Sequence, residues 1–276
     1  MSARTNTILI IGSTSGIGEA FARRFHRQGK TVIATGRNEA KLGSLSRELP
    51  GVETRKLCID DVSGLAQHIK SILDDFPSLD TVIITAGIQE CFNLFDPSST
   101  TVDKMTDEIT TNLTAPSILV HLLAPHLLKL AESGTKTTLF LTSSTLAYIP
   151  LSFYPTYCAS KAGISALAKV LRQQLSFASE EARRNMAVVE IVPPYTDTPL
   201  DREHREMTIA MQGGREKAFL PMPLDEYVDG FFEAWEKKSG EKDARLEEIG
   251  VGMGQMAVDT WRESFGKLYE PMGMST

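Results

Sequence analysis

Residues 7–18 of this 276-residue chain read TILIIGSTSGIG, an apolar run that passes directly into a cluster of glycines. The apolar run is rich in β-branched residues, which predicts a buried strand. Glycines permit a tight turn and a close approach of the backbone to a phosphate. Apolar residues then recur at helical spacing as far as Gly29, so the glycines lie between a strand and the amino end of a helix. This context predicts a site for a dinucleotide pyrophosphate, with a ligand-free glycine turn as the alternative. The predicted contacts are Gly12, Ser13, Thr14, Ser15, Gly16, Ile17 and Gly18.

The rest of the chain repeats this alternation of strand and helix. Short apolar runs predict further strands near residues 31–35, 52–59, 81–85, 138–142, 186–192 and 246–251. Helices are predicted near residues 39–49, 63–75, 102–130, 155–168 and 224–238. The alternation predicts one α/β domain over residues 1–276: a Rossmann fold with a doubly wound parallel sheet of about seven strands and helices on both faces. Residues 195–221 predict a flexible lid over a pocket, and residues 252–276 form a C-terminal extension.

Composition narrows the range of partners and compartments. The net charge is −6 and no basic block occurs, which argues against a nucleic-acid surface. No apolar run approaches about 18 residues, and the first residues lack a signal-peptide pattern, so no membrane partner is expected. Three cysteines, Cys58, Cys91 and Cys158, fit neither a disulfide framework nor a zinc spacing. The sequence therefore predicts a cytoplasmic protein without a metal site.

The end of the second predicted strand indicates which dinucleotide is bound. An NAD enzyme places an acidic residue here to hold the ribose hydroxyls of the adenosine. This chain instead has Gly36 followed by Arg37 and Asn38. A guanidinium suits a 2′-phosphate, so the position of Arg37 predicts NADP(H), with a solvated surface arginine as the alternative.

Tyr157 and Lys161 are four residues apart on a predicted helix, which places both side chains on one face. An ammonium beside a phenol favours the phenolate, so the pKa of Tyr157 is expected to be lowered and the phenol suited to proton transfer. Ser144 follows a predicted strand, at the sheet edge where such folds bind ligands. Asn112 lies within a long apolar helix and needs a polar partner. Alone, the Tyr157 and Lys161 pair also fits a helix with one buried aromatic residue and one solvated lysine.

These motifs together resemble the short-chain dehydrogenases/reductases, over nearly the whole chain to about residue 251. The motifs are Gly12-x-x-x-Gly16-x-Gly18, Asp61-Val62, Thr85-Ala86-Gly87, Asn112, Ser144, Tyr157 and Lys161. Two positions depart from the family pattern: Thr85 replaces an asparagine that braces the central strands, and Pro193-Pro194 replaces Pro-Gly. The double proline and the segments 222–227 and 247–252 look like the DltE-like branch of the family.

The resemblance implies hydride transfer between a nicotinamide and a carbonyl or alcohol carbon. It implies that Tyr157 is the proton donor or acceptor, that Lys161 holds the nicotinamide ribose, that Ser144 binds the substrate oxygen, and that Asn112 positions a water molecule. Further cofactor contacts are implied at Arg37, Asn38, Asp61, Val62, Ala86, Gly87, Pro193, Thr196 and Thr198, beside Tyr157 and Lys161. A homodimer or homotetramer is also implied, paired through the long helices.

The expected substrate is a hydrophobic small-molecule ketone, because aromatic residues cluster near the predicted site. These residues are Phe92, Phe95, Phe153 and Tyr154. Two other functions stay open at this point. One is a non-catalytic NADP(H)-binding sensor or scaffold, and the other is a non-redox isomerase or cyclase that uses Tyr157 as an acid.

Overall fold

The computed structural model describes residues 5–240 and 247–272. Its centre is one parallel sheet with strand order β3-β2-β1-β4-β5-β6-β7, which confirms the predicted doubly wound fold. The strands are β1 (Thr7–Ile11), β2 (Thr31–Gly36), β3 (Glu53–Lys56), β4 (Thr81–Ile84), β5 (Thr137–Thr142), β6 (Met186–Val192) and β7 (Glu248–Gly250). Strands β1, β4 and β6 are buried along their whole length, as their mainly apolar sequences predict.

Helices cover both faces of the sheet. They are α1 (Gly16–Arg27), α2 (Glu39–Glu48), α3 (Leu65–Asp75), α4 (Val102–Ile109), α5 (Ala115–Glu132), α6 (Pro155–Leu175), α7 (Glu180–Asn185), α8 (Arg205–Met211), α9 (Leu224–Gly240) and α10 (Met253–Glu263). One apolar core lies between the sheet and α3, α5 and α6. A second core joins α1, α2 and α9 to the opposite face, with Phe21, Phe231 and Trp235 among its fully buried rings.

The strand order reverses between β1 and β4, and this reversal opens the crevice in which such folds bind ligands. The Thr85 hydroxyl ties the two strand ends together: it donates to Ile11 O at 3.0 Å and lies 3.4 Å from Gly12 O. Threonine therefore supplies a brace between β4 and β1 where the family has an asparagine.

The two edge strands are shorter than the sequence predicts. β3 and β7 have four and three residues, because each pairs with a neighbour on one side only. Leu246, the predicted first residue of the last strand, lies outside the described residues. The predicted lid is also more regular than expected, since it contains a 3₁₀ turn at Pro199–Asp201 and the helix α8.

The long helix predicted over residues 102–130 is present as a continuous helical run, Val102–Glu132. A π-helical turn, Thr110–Thr114, joins α4 to α5 and contains Asn112. By length and composition this run could cross a membrane, a test that core helices of soluble proteins also pass. The inward face of α5 packs into the first core through Leu119, Leu123 and Leu127.

Candidate active site

Tyr157 and Ser144 meet at the carboxyl edge of the sheet. Ser144 follows β5 and caps a 3₁₀ turn, Thr145–Ala147. Its hydroxyl accepts a hydrogen bond from Leu146 N at 3.1 Å. Tyr157 lies in the first turn of α6, which starts at Pro155 as predicted. Both side chains are buried, and the Ser144 hydroxyl lies close enough to the phenol to act on the pKa of Tyr157. The structure therefore brings the predicted proton donor next to the predicted oxygen-binding hydroxyl.

The expected lowering of the Tyr157 pKa does not occur in the protein alone. Burial raises the pKa of this phenol, and the hydrogen bond with Ser144 only partly opposes the rise. The Lys161 ammonium lies 5.5 Å from the centre of the Tyr157 ring. The reason is that the transfer of a phenolate from water into the protein interior costs more free energy than its interactions with the neighbouring groups recover. At neutral pH the phenol is therefore protonated.

Lys161 is a buried ammonium at the centre of the site. Its Nζ donates to Thr142 O, the last carbonyl of β5, at 3.0 Å. Burial lowers the pKa of Lys161 to about 8, although the carboxylate of Glu108 works in the opposite direction. A Cβ placed on Gly87 would lie 3.6 Å from this Nζ and 3.1 Å from Asn112 Oδ1. Gly87 thus lies between the two predicted catalytic side chains.

Asn112 has the polar partners that its burial requires. Its Nδ2 donates to Ile88 O at 2.8 Å and its Oδ1 accepts from Ile88 N at 3.0 Å, so one amide holds the segment after β4 on both sides. A longer contact of 3.3 Å reaches Ser160 Oγ on α6. π-Helical turns occur frequently at functional sites, and here the turn carries a side chain that links β4 to α6.

The glycine turn after β1 is packed too closely for any side chain. A Cβ on Gly18 would lie 2.1 Å from Gly12 O, and a Cβ on Gly12, which has φ +104°, would lie 2.6 Å from Ala86 N. Gly16 lies beside Thr198, and Gly36 beside Thr14. In the described part of the chain, no side chain caps the amino end of α1. The helix therefore presents amide donors and its positive dipole end to the crevice, which fits a pyrophosphate.

The predicted adenosine contacts follow β2 and β3. Arg37 is exposed, and over residues 5–240 and 247–272 its guanidinium has no hydrogen bond or ion pair. Asn38 instead caps α2, accepting from Lys41 N at 3.0 Å. Asp61 accepts from Ser63 Oγ at 2.6 Å, a bond that lowers its pKa, while the neighbouring Val62 is partly exposed. The carboxylate of Asp61 is thus engaged within its own loop.

The predicted contacts after β6 lie at the start of the lid. Pro193 O accepts from both the amide and the hydroxyl of Thr145, at 2.9 and 3.0 Å. Thr196 is buried and donates to Pro194 O at 2.9 Å, and Thr198 caps the following 3₁₀ turn while lying beside Gly16. These contacts fix the lid entrance against the turn that carries Ser144.

The lid rests on the aromatic cluster next to Tyr157. The ring of His204 lies 5.6 Å from that of Tyr154, which in turn lies 6.4 Å from that of Tyr157. His204 Nε2 also contacts Gln89 Oε1 at 3.2 Å. Phe92, Phe153 and Tyr154 belong to this part of the structure, but the placement of Phe95 at the pocket was wrong, because its ring is 95% exposed.

Short contacts within the lid hold it together. Arg205 binds Asp201 at 2.6 Å and Asp197 at 2.9 Å, and Tyr195 donates to Asp201 Oδ2 at 2.6 Å. Burial alone would raise the pKa of Asp201, but the hydrogen bonds from Arg205 and Tyr195 outweigh it and keep that pKa low. The ends are joined because Asp197 N donates to Met222 O and Met222 N to Tyr195 O, each at 2.8 Å.

Two buried carboxylates close to the site, Glu108 and Glu190, were not predicted from the sequence. Glu108 accepts from Glu90 N at 2.8 Å and from the Thr156 hydroxyl, one residue before Tyr157, and burial raises its pKa. Glu190 lies in the middle of β6 and contacts the residue before Ser144. The signal available for Glu190 was an acid within the otherwise apolar run MAVVEIV.

A cavity of about 660 Å³ lies elsewhere, between α6 and the C-terminal helices. Lys169, Val170, Trp261 and Phe265 are among the residues that line it, and none of the four predicted catalytic residues does. Within the described ranges, no group of three or more His, Cys, Asp or Glu side chains could hold a metal ion.

Comparisons with known proteins agree on one family. The sequence model described as short chain dehydrogenase matches residues 6–209. The oxidoreductase DltE of Bacillus subtilis (strain 168), described as uncharacterized, is 31% identical over 272 residues, covering 99% of this chain and 98% of its own. The actinorhodin polyketide ketoreductase with NADPH has the same fold, with TM-score 0.74, 20% identity and coverage of 93% and 99%. A 4-hydroxyisoleucine dehydrogenase mutant complexed with NADH and succinate has TM-score 0.71, 22% identity and coverage of 91% and 99%.

Proposed function

The chain belongs to the short-chain dehydrogenase family, and from this premise we propose that it is an NADP(H)-dependent reductase of hydrophobic ketones. The observation that carries the proposal is the contact between Ser144 and Tyr157 beside Lys161, at the sheet edge next to the glycine turn. A hydroxyl, a phenol and an ammonium there provide an oxygen-binding group, a proton donor and a cation around one reacting carbon.

The protonated phenol of Tyr157 fits the role of proton donor in a reduction. Because burial raises the pKa of the phenol, Tyr157 carries its proton at neutral pH and is ready to donate it to a substrate oxygen. Ser144 would hydrogen-bond that oxygen while negative charge develops on it. Lys161 would hold the nicotinamide ribose, and Asn112 would keep the segment after β4 in place through its two bonds to Ile88.

The cofactor proposal depends on the glycine turn and on Arg37. NADP(H), when bound, supplies or accepts the hydride. The uncapped amino end of α1 and the tight glycines fit its pyrophosphate, and Ala86, which follows β4, lies against Gly12. The unpaired guanidinium of Arg37 favours a 2′-phosphate over a free hydroxyl. Similar folds carry NADPH or NADH, so the choice rests on this chain's own residue.

The substrate proposal depends on the apolar surroundings of Tyr157. Cys91, Tyr154 and Cys158 pack around it, with Leu146 and Phe153 at the margin. Such walls favour a ketone with an apolar or aromatic body. One protein of the same fold is named a polyketide ketoreductase, which is compatible with substrates of that shape.

We also propose a cytoplasmic protein that forms a homodimer or homotetramer. Support for pairing comes from α6, where Ala162, Ala166 and Val170 face solvent. Support for a reducing compartment comes from three free thiols. Light scattering during gel filtration measures the assembly, and a monomer at micromolar concentration would contradict it.

The experiment is a panel of apolar ketones assayed with NADPH and with NADH, using the wild type and Tyr157→Phe. We expect NADPH oxidation by the wild type, and a loss of about a thousandfold or more in Tyr157→Phe while NADPH still binds. NADPH binding without turnover of any ketone would favour the sensor or scaffold. Product formation without net cofactor consumption would favour the isomerase or cyclase.

A further inference from the structure

Glu190 is a carboxylate in the centre of the protein that the chemistry above does not use. It lies on β6 with 0% of its surface exposed. A buried carboxylate is costly unless its oxygens are fully engaged. Both of its oxygens are engaged, and the groups that they contact lie on the two elements that carry the predicted catalytic side chains.

One oxygen holds both ends of the turn that carries Ser144. Ser143 Oγ donates to Glu190 Oε1 at 2.5 Å, and Tyr148 OH donates to the same atom at 3.1 Å. Ser144 lies between these two donors, immediately after the first. Glu190 Oε1 therefore holds the turn through side chains on both sides of Ser144, in addition to the backbone bonds from Ser143 N to Ile191 O and from Thr145 N to Pro193 O, each 2.9 Å long.

The other oxygen holds the helix that carries Tyr157 and Lys161. Ser165 Oγ donates to Glu190 Oε2 at 3.1 Å, and the Lys169 ammonium lies 3.5 Å from it and 2.6 Å from Ser165 Oγ. Tyr157, Lys161, Ser165 and Lys169 are spaced four residues apart, so they form one polar stripe along α6. Lys161 and Lys169 thus dock the same face of the helix onto β5 and β6.

The C-terminal extension covers this network from outside. The ring of Trp261 on α10 lies 4.4 Å from Lys169 Nζ, so an aromatic face covers the ammonium. A second buried carboxylate, Glu248 on β7, binds Arg172 at 2.7 Å and also Arg262, but it does not contact the Ser144 turn. Glu248 therefore provides a comparison: a similar buried ion pair close by, without the link to the site.

We propose that Glu190 is a positioning residue that sets the distance between Ser144 and Tyr157. It joins the Ser144 turn, through Ser143 and Tyr148, to the α6 stripe, through Ser165 and Lys169. The proposal rests on the reductase function for its kinetic readout, but its structural readout is independent of any substrate.

The main test is Glu190→Gln, which keeps the shape but replaces one acceptor oxygen with a donor. We expect kcat for a ketone to fall about ten- to hundredfold, because small misplacements of reacting groups cost that much. The Kd for NADPH, measured by nicotinamide fluorescence, should stay within about twofold of the wild-type value. The glycine turn follows β1, which lies three strands away from β6 in the sheet. The matched control, Glu248→Gln, should lower Tm similarly yet keep kcat within about twofold.

Ser143→Ala and Tyr148→Phe each remove one donor and leave the Glu190–Lys169 pair intact, so they serve if Glu190→Gln does not fold. Each should lower kcat, and adding Ser143→Ala to Glu190→Gln should lower it no further, because both break the same link. A kcat within twofold of wild type in either single variant, or a fall in NADPH affinity equal to the fall in kcat, overturns the proposal.

Hydrogen exchange of the turn amides, residues 145–149, tests the link without a substrate. Glu190→Gln should speed exchange there while Glu248→Gln does not. If the wild type reduces no ketone, the reductase proposal fails while this readout still decides the role of Glu190. If exchange in the turn is unchanged in Glu190→Gln, the positioning role fails whatever the kinetics.

Discussion

The two sides of the crevice are built by different means. The glycine side, after β1, β2 and β4, is made by backbone that comes so close that a Cβ on Gly18 would lie 2.1 Å from Gly12 O. The catalytic side, around β5, β6 and α6, is made by buried charged side chains, Lys161, Glu108 and Glu190. The first side should therefore be intolerant of added volume, and the second intolerant of changed charge or hydrogen bonding. Substitutions at Gly18 and Lys161 test this difference.

The largest effect is expected for Gly18→Ala. The new methyl group would overlap Gly12 O and lie 2.4 Å from Thr85 Oγ1, which also breaks the brace between β1 and β4. We expect a loss of about 3 kcal/mol in the free energy of unfolding and a loss of NADPH affinity of about a hundredfold or more. Urea unfolding and fluorescence titration measure the two quantities.

Gly43→Ala is the matched control for Gly18→Ala. Gly43 lies within α2, and among the described residues the one atom outside the helix backbone within 4 Å of its added Cβ would be Arg47 Nη1, at 3.5 Å. The free energy of unfolding of this variant should be higher than that of the wild type by about 0.4–1 kcal/mol. Equal stability and NADPH affinity in Gly18→Ala and the wild type would contradict the description of the glycine side.

The next effect is expected for Lys161→Met, which should lose turnover and gain stability. The pKa of Lys161 is about 8 in the folded chain against 10.5 for an ordinary lysine. Between these values the unfolded chain holds a proton that the folded chain has lost, so stability rises with pH there. At neutral pH the buried ammonium therefore lowers the free energy of unfolding by the full amount, about 3 kcal/mol. Removing the ammonium should recover about 1–2 kcal/mol of it, since the bond to Thr142 O is lost as well.

Calorimetry of the cofactor-free protein at pH 7 measures this gain. Lys169→Met serves as the contrast, because its removal leaves the buried carboxylate of Glu190 without its ion partner and should destabilise the chain. A lower Tm for Lys161→Met than for the wild type would show that the buried ammonium of Lys161 does not destabilise the folded protein.

A smaller effect is expected for Arg37→Ala, which should weaken NADPH binding by about ten- to hundredfold, the value of a charge-assisted bond to phosphate. The affinity for NADH should change little, so the preference for NADPH over NADH should become smaller. Arg183→Ala is the control, since Arg183 lies on α7 next to the amino end of β6, at the opposite edge of the sheet. An unchanged ratio of NADPH to NADH affinity in Arg37→Ala would mean that Arg37 does not select the cofactor.

The smallest effect concerns the pH dependence of the lid. Burial lowers the pKa of His204 from 6.5, although the nearby carboxylates of Asp201 and Glu90 oppose the shift. The folded lid favours the neutral ring of His204. The lid should therefore be most stable above about pH 6.5 and lose stability as the pH falls below that value. Hydrogen exchange of α8 should therefore be faster at pH 5.5 than at pH 7.5. His204→Gln should lose the pH dependence, and a wild-type lid with equal exchange at both values would contradict it.

Much of the architecture could be predicted because it depends on local patterns. The apolar runs and the glycines after β1 gave the seven strands and their parallel arrangement. Edge strands were overestimated, since the residues flanking β3 continue its pattern although only one neighbour pairs with it. Residues that are distant in sequence were harder to predict: the exposure of Phe95 and the contacts of Glu190 depend on how separate elements pack. The prediction of a lowered Tyr157 pKa was wrong, because sequence spacing indicates neighbouring charges but not burial.

The lid's closed network of contacts has a consequence for ligand capture. Tyr195, Asp197, Asp201 and Arg205 bind one another within eleven residues, and two bonds at 2.8 Å to Met222 clasp the base of the segment. Because these contacts already hold the lid in one conformation, its closure over a ligand would restrict few additional torsion angles. Little of the binding energy is then spent on conformational entropy, and more of it is left to orient the bound molecule.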